Sequence, residues 1–245
     1  MLALGIIGGS GLSKLEGMQI EREEIVATPY GDPSAPLSFG RSGGRPLVFL
    51  PRHGAAHTIP PHRVNYRANL WALQHAGVER VVGMAAVGGI GACMAPGALA
   101  VPDQVIDYTW GREHTLFDTD PAGVTHIDFT EPYCEALRQD LLQAAERVGV
   151  AVHEGGTYAA TQGPRLESSA EIARLERDGC DMVGLTGMPE ASIARELGLC
   201  YASLALSVNW AAGKTDGPIS MAGIQRHLED GIALARRVLG AVASP

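Results

Sequence analysis

Short, nearly unbroken apolar runs recur along the chain: LGIIG, PLVFLP, RVVGMAAVGG, ALAVPDQVIDY, GGTYAAT, DMVGLT and CYASLALSV. Each has strand length, and a run that is apolar at almost every position fits a strand covered on both faces. The longer segments between them carry apolar residues at helical spacing and predict helices over Val64–Gly77, Glu131–Gly149, Ser168–Gly179, Pro189–Gly198 and Ile224–Val242. All but the last end at glycine, as helix C-termini commonly do. In the second helix Leu137, Leu141, Leu142, Ala145 and Val148 form one stripe, the pattern of an outer helix lying on a sheet. Strands alternating with helices predict an α/β sandwich. No linker-like composition divides the 245 residues, so a single domain over residues 1–245 is expected. Trp110 to Asp128 is polar and irregular, long for a structureless connection, which predicts a functional or interface loop.

Composition sharpens the picture. Hydrophobic residues make up 46% and aromatics only 5%, with 31 glycines, which suits helices packed closely on a sheet. The formal charge of -8 argues against a nucleic-acid surface, which needs a basic stripe. Cys93, Cys134, Cys180 and Cys200 show no zinc-site spacing, so reduced thiols and a cytoplasmic location are expected. The opening MLALGIIGGSG lacks the basic start of a signal peptide, and no apolar run reaches membrane-spanning length.

Several segments can carry chemistry. GIIGGSG, Gly5 to Gly11, puts a glycine-rich turn after the first strand; its backbone N–H groups and the Ser10 hydroxyl can hold an anion, or the turn can simply be tight. It departs from the dinucleotide fingerprint, with Lys14 at the third glycine position. PRHGAAHTIPPHRVNYRAN places Arg52 and His53 at a strand exit, followed by His57 and His62. Glycine and prolines break any helix that would align the three histidines on a metal, whereas an Arg-His pair suits a dianion; a surface Arg with a capping His is the plain alternative. MAAVGGIG brings small residues, Ala85 and Ala86 among them, beside a strand end. TQGPRLESSAE sets Glu167 before a helix start, where a carboxylate also serves as simple dipole complementation. MVGLTGMPEAS ends a strand at Leu185 and Thr186, and SLALSVNWAAG ends one at Asn209. Taken together, anion donors at four strand ends and two hydrogen-bonding side chains at others suit a ligand with a phosphate at one end and a heterocycle at the other.

The segments GIIGGSGL, PRHGAAHTIPPHRVNYRANLWAL, GPRLESSAEI and MVGLTGMPEASIARELGLCYASLAL, with their spacing, resemble methylthioadenosine phosphorylases and their purine nucleoside phosphorylase relatives over nearly the whole chain. The resemblance implies a three-layer α/β/α sandwich with a mixed central sheet, and a homotrimer. It implies phosphorolysis of a nucleoside, with inorganic phosphate as co-substrate and no cofactor or metal. By position, Ser10, Arg52, His53, Ala85, Ala86 and Thr186 would bind phosphate and Leu185 would line the sugar. His126 of a neighbouring subunit would approach the 5′ end of the sugar.

Two departures bear on the base. Adenosine-type members carry aspartates where this chain has Asn209 and Ala211, and serine where it has Glu167. A carboxylate accepts from a 6-amino group, whereas Asn209 can donate to O6 and accept from a protonated N7, and Glu167 can accept from N1–H. Asn209 is therefore the expected catalytic residue, assisting departure of the base. At the sugar's 5′ position Met221 stands where ordinary purine nucleoside phosphorylases place histidine, and an apolar residue favours a methylthio group over a hydroxyl. The combination predicts cleavage of S-methyl-5′-thioinosine to hypoxanthine and 5-methylthioribose 1-phosphate. A general inosine/guanosine phosphorylase, a methylthioadenosine phosphorylase and a non-catalytic nucleoside binder are the alternatives. Neither nucleic acid nor membrane is an expected partner.

Overall fold

The computed structural model describes residues 3–15, 17–118 and 123–243. Residues 119–122 of the expected loop, and the first two residues of the chain, lie outside the described residues. Eleven strands among the described residues form one mixed sheet. In chain order they are β1 (Ala3–Gly8), β2 (Gln19–Glu24), β3 (Leu37–Ser42), β4 (Arg45–Pro51), β5 (Val78–Gly89), β6 (Leu99–Val101), β7 (Gln104–Asp107), β8 (Val152–Glu154), β9 (Thr157–Ala160), β10 (Met182–Gly184) and β11 (Cys200–Trp210). The helices are α1 (Tyr66–His75), α2 (Glu135–Arg147), α3 (Ser169–Arg177), α4 (Gly187–Glu196) and α5 (Met221–Ala243).

Side chains of the central strands point alternately to two cores. Ile7 of β1 and Val81 and Ala85 of β5 pack with Leu70 and Leu73 of α1 and Ile193 of α4. Leu4 and Ile6 of β1 and Val82 and Met84 of β5 pack with Leu137 and Leu141 of α2 and Ile232 and Leu239 of α5. A strand buried on both faces must be apolar at every position, which accounts for the unbroken runs. The result is a three-layer sandwich.

The long strand β5 organises the functional end. Its first half runs parallel to β1, up to the pairing of Gly83 with Ile7. Its far end, Gly88 and Gly89, runs antiparallel to β10. Parallel pairing with β11 covers the other edge from Arg80 to Gly89. The sheet therefore forks between Gly83 and Gly88, and the loops after β1, β4 and β10 meet at the fork. Such a point is where open α/β sheets place ligands.

Several expectations are corrected. β2 reads QIEREE with all six residues exposed; it has no apolar pattern and is defined by pairing with β3. The single strand expected from ALAVPDQVIDY breaks at Pro102 and Asp103 into β6 and β7, which join different neighbours, β11 and β9. α2 begins four residues later than expected, at Glu135, while α5 begins three residues earlier, at Met221. Cys134 and Cys200 are joined in a disulfide, whereas Cys93 and Cys180 are free. Their separation of 66 residues matches no motif; they meet because the backbone N–H of Cys134, at the N-cap of α2, donates to Tyr201 O at the start of β11. The cytoplasmic location inferred from reduced thiols loses that support. Among the described residues no helix is long and apolar enough to cross a membrane.

Candidate active site

At the fork, Gly9 and Ser10 follow the last residue of β1. A side chain at Gly9 would meet the Met84 carbonyl oxygen at 2.6 Å and Nη1 of Arg52 at 3.1 Å, and one at Gly8 would meet Leu12 O at 2.1 Å. The glycines let the turn lie directly against β5 and leave a passage for the arginine.

Arg52 follows β4, anchored by its own N–H to Gly8 O at 2.9 Å. Its side chain is buried and bound on two sides. Nε and Nη2 donate to Oε2 and Oε1 of Glu190 at 2.6 and 2.7 Å, and Nη1 donates to Met84 O at 2.7 Å. Burial alone would lower the Arg52 pKa, but the adjacent Glu190 carboxylate carries it above the ordinary arginine value. The guanidinium is a permanent cation whose charge is largely matched by its partner.

His53 is also buried, with Nδ1 2.8 Å from Ile59 O. A carbonyl only accepts, so Nδ1 carries the proton and Nε2 is left as an acceptor. Burial, and then the charge of Arg52, lower its pKa to about 4. The imidazole is neutral near pH 7.

These groups share one open cavity of about 420 Å³, whose walls include Ser10, Arg52, His53, Ala86, Leu185, Thr186 and Met221. Thr186 is the N-cap of α4 but makes no side-chain cap hydrogen bond. Ala85 faces a narrow gap behind this wall, with Ser10, Ala86 and Leu228. Leu185 packs against Gly163, where an added Cβ would meet its Cδ1 at 2.8 Å. Met221, the first residue of α5, is 70% exposed. His227, one turn and a half further along α5, is instead hydrogen-bonded to Val208 O through Nδ1.

A second cavity of about 280 Å³ includes Tyr108, Trp110, Thr161, Gly163 and Glu167 in its walls. Gly163 of this cavity and Pro164 of the first are consecutive, so the two adjoin. Glu167 accepts a hydrogen bond from the Thr161 hydroxyl. Arg112, which the sequence reading did not single out, pins this wall: it donates to the carbonyls of Thr161, Gln162 and Met188 at 3.1, 2.8 and 2.6 Å. Its only signal in the sequence is a cation inside the irregular Trp110 to Asp128 segment.

Asn209 sits where β11 is bulged: the register with β5 skips Val208, so that Asn209 pairs with Gly88. A bulge re-aims the side chain that follows it. The amide donates from Nδ2 to Trp210 O at 2.7 Å, which orients it and leaves a second N–H and Oδ1. Ala211 is buried in a small cluster with Ile90, Ile172 and Leu175, anchored by its N–H to Gly89 O. Asn209, Ala211 and His126 are not in the walls of either cavity, and His126 is exposed. Among the described residues no three His, Cys, Asp or Glu side chains are grouped to hold a metal; His53 and His57 instead pack ring against ring, centroids 4.7 Å apart.

Comparison with known proteins places this geometry in context. The sequence matches the phosphorylase superfamily over residues 3–244. It is 53% identical over 244 residues to a probable S-methyl-5′-thioinosine phosphorylase of Pseudomonas syringae pv. tomato, covering 100% of this chain and 99% of that one. It is 42% identical to a probable 6-oxopurine nucleoside phosphorylase of Dictyoglomus turgidum, covering 98% and 90%. The solved methylthioadenosine phosphorylase of Schistosoma mansoni in complex with adenine superposes with a TM-score of 0.95 at 34% identity, covering 99% of this chain and 91% of that one.

Proposed function

The chain belongs to the phosphorylase superfamily, and within it we propose that it cleaves S-methyl-5′-thioinosine with inorganic phosphate, releasing hypoxanthine and 5-methylthioribose 1-phosphate. The observation that carries this reading is the shared cavity: Ser10, Arg52, His53 and Thr186 stand on the same walls as the apolar Leu185 and Met221. Phosphate binds at the donors, the sugar lies over Leu185, and the methylthio group meets Met221.

Phosphorolysis breaks the bond from the anomeric carbon to N9 as a phosphate oxygen attacks that carbon. The transition state is cationic at the sugar, so a dianion held in place beside it lowers the barrier. Hydrogen phosphate loses one proton in the product ester, and the departing base gains one at nitrogen, so the reaction balances without another reagent. Neutral His53, with Nε2 as an acceptor, suits the P–O–H group. Departing hypoxanthine develops charge in its imidazole ring. Oδ1 of Asn209 accepts from a protonated N7 and its second N–H donates to O6, while Glu167 accepts from N1–H.

The names of the relatives support the 6-oxopurine base. A general 6-oxopurine phosphorylase is the second reading, favoured by the high exposure of Met221. The methylthio reading extends to a homotrimer in the cytoplasm, in which the exposed segment around Val124 and His126 reaches a neighbouring subunit's site. The test is release of free base from methylthioinosine, methylthioadenosine, inosine and guanosine, each with phosphate. Methylthioinosine is expected to be cleaved fastest. Fastest release from methylthioadenosine overturns the base assignment, and equal rates on inosine overturn the assignment of Met221.

A further inference from the structure

Glu190 is fully buried, and no step of the proposed reaction uses it. Both its oxygens are committed. Oε2 accepts from Nε of Arg52, and Oε1 accepts from Nη2 of Arg52 and from the Tyr201 hydroxyl at 2.7 Å. The network joins α4, the loop after β4 and β11, and β5 makes room for it at Gly83. A Cβ there would lie 2.2 Å from the Tyr201 hydroxyl and 2.7 Å from Oε1 of Glu190.

A guanidinium has five N–H donors in a rigid plane. Glu190 takes two and Met84 O takes one, leaving one N–H on each terminal nitrogen. Because the plane is rigid, fixing one edge fixes the direction of the two that remain. The charge of Arg52 is also balanced, so an anion in the cavity is recognised by where those N–H groups point rather than by a loose cation.

We propose that Glu190 is a positioning residue for phosphorolysis: it locks one edge of the Arg52 guanidinium so that the two remaining terminal N–H groups address the phosphate, with Tyr201 holding Glu190 in turn. This rests on the reading of the first cavity as the phosphate site. A buried ion pair is by itself weak evidence for stability; the place of its Arg52 half on the cavity wall is what gives Glu190, behind it, a role in the reaction.

The test is a double-mutant cycle on steady-state base release, varying phosphate and nucleoside separately, with calorimetric titration of inorganic phosphate alongside. Glu190→Gln is expected to lower kcat/KM for phosphate about 100-fold while the nucleoside KM stays within about threefold. In an Arg52→Gln background the same change is expected to cost less than about threefold, because a residue acting through Arg52 has nothing left to position. An equal cost in both backgrounds, or a loss confined to the nucleoside KM, overturns the proposal. If Glu190→Gln does not fold, Tyr201→Phe decides, since it removes a hydroxyl and leaves the ion pair: a roughly fivefold loss in kcat/KM for phosphate is expected, and no loss overturns the proposal. A wild-type protein that binds no phosphate overturns the phosphate site itself. A wild-type protein that binds phosphate beside a Glu190→Gln variant that binds and turns over equally well overturns only the role of Glu190.

Discussion

The two ends of the site are built differently. Where we propose that phosphate binds, two of the side chains are buried and held by the protein itself: Arg52 by Glu190 and Met84, His53 by Ile59. Where we propose that the base binds, Glu167 and Asn209 are only partly covered. Glu167 is tied to Thr161, and Asn209 to the carbonyl of its own neighbour Trp210. The first cavity presents donors anchored at the sheet fork. The base end presents side chains on a bulge and a loop, which can differ between relatives without disturbing the core. Preorganised donors suit the step every phosphorylase shares, and adjustable readers suit the choice of base.

The largest effect is expected where the structure is most fixed. Arg52→Gln should lower kcat/KM for phosphate by about 10³-fold, the scale of removing a preorganised electrostatic donor, in a phosphate-dependent assay of base release. If the loss is small and falls on the nucleoside instead, the two ends are not separate in the way described.

At the base end Asn209→Asp should cost about 100-fold on methylthioinosine, since it exchanges a donor to O6 for a second acceptor. A gain on methylthioadenosine is expected in the same variant. Unchanged rates on both nucleosides would show that the amide does not read the base. At the 5′ end of the sugar in the proposed pose, Met221→His should shift the preference from methylthioinosine towards inosine by about tenfold, the worth of one hydrogen bond to the hydroxyl. Competition between the two nucleosides in one reaction measures that ratio directly.

The same division governs what could be read from the residues. The central strands were legible because burial on both faces writes an unbroken apolar run, as in CYASLALSV for β11. That Ser10, Arg52, His53, Ala86 and Thr186 share one cavity was legible because each sits just past such a run or within it. β2 was not, because an exposed edge strand such as QIEREE is defined by its partner rather than by its own pattern. Nor were Glu190 and Arg112. Glu190 lies 138 residues from Arg52 in sequence, and only the fold brings the carboxylate to the guanidinium. The Cys134–Cys200 bond was hidden for the same reason. The register shift at Val208 that places Asn209 opposite Gly88 is a backbone property that no single side chain announces.

The smallest effect concerns stability rather than rate, and it tests how rigidly the phosphate end is built. His53 is buried beside Arg52, faces His57 and donates to Ile59 O. Its pKa in the folded chain is lowered from 6.5 to about 4. The unfolded chain therefore takes up a proton as pH falls through 6.5, whereas the folded chain does not until pH nears 4. Folding stability from this residue is fully present above pH 6.5, declines as pH falls between those values, and is constant again below the lower one. A His53→Gln variant does not titrate at this position. Its denaturant unfolding, compared with wild type at pH 7.5 and pH 5, isolates the contribution. The wild type should lose on the order of 1 kcal/mol more than the variant over that range. A difference that does not change with pH means that His53 stays near its ordinary pKa. In that case it would be protonated in much of the population at pH 6, Nε2 would be a donor, and the pairing with the hydrogen of phosphate would reverse.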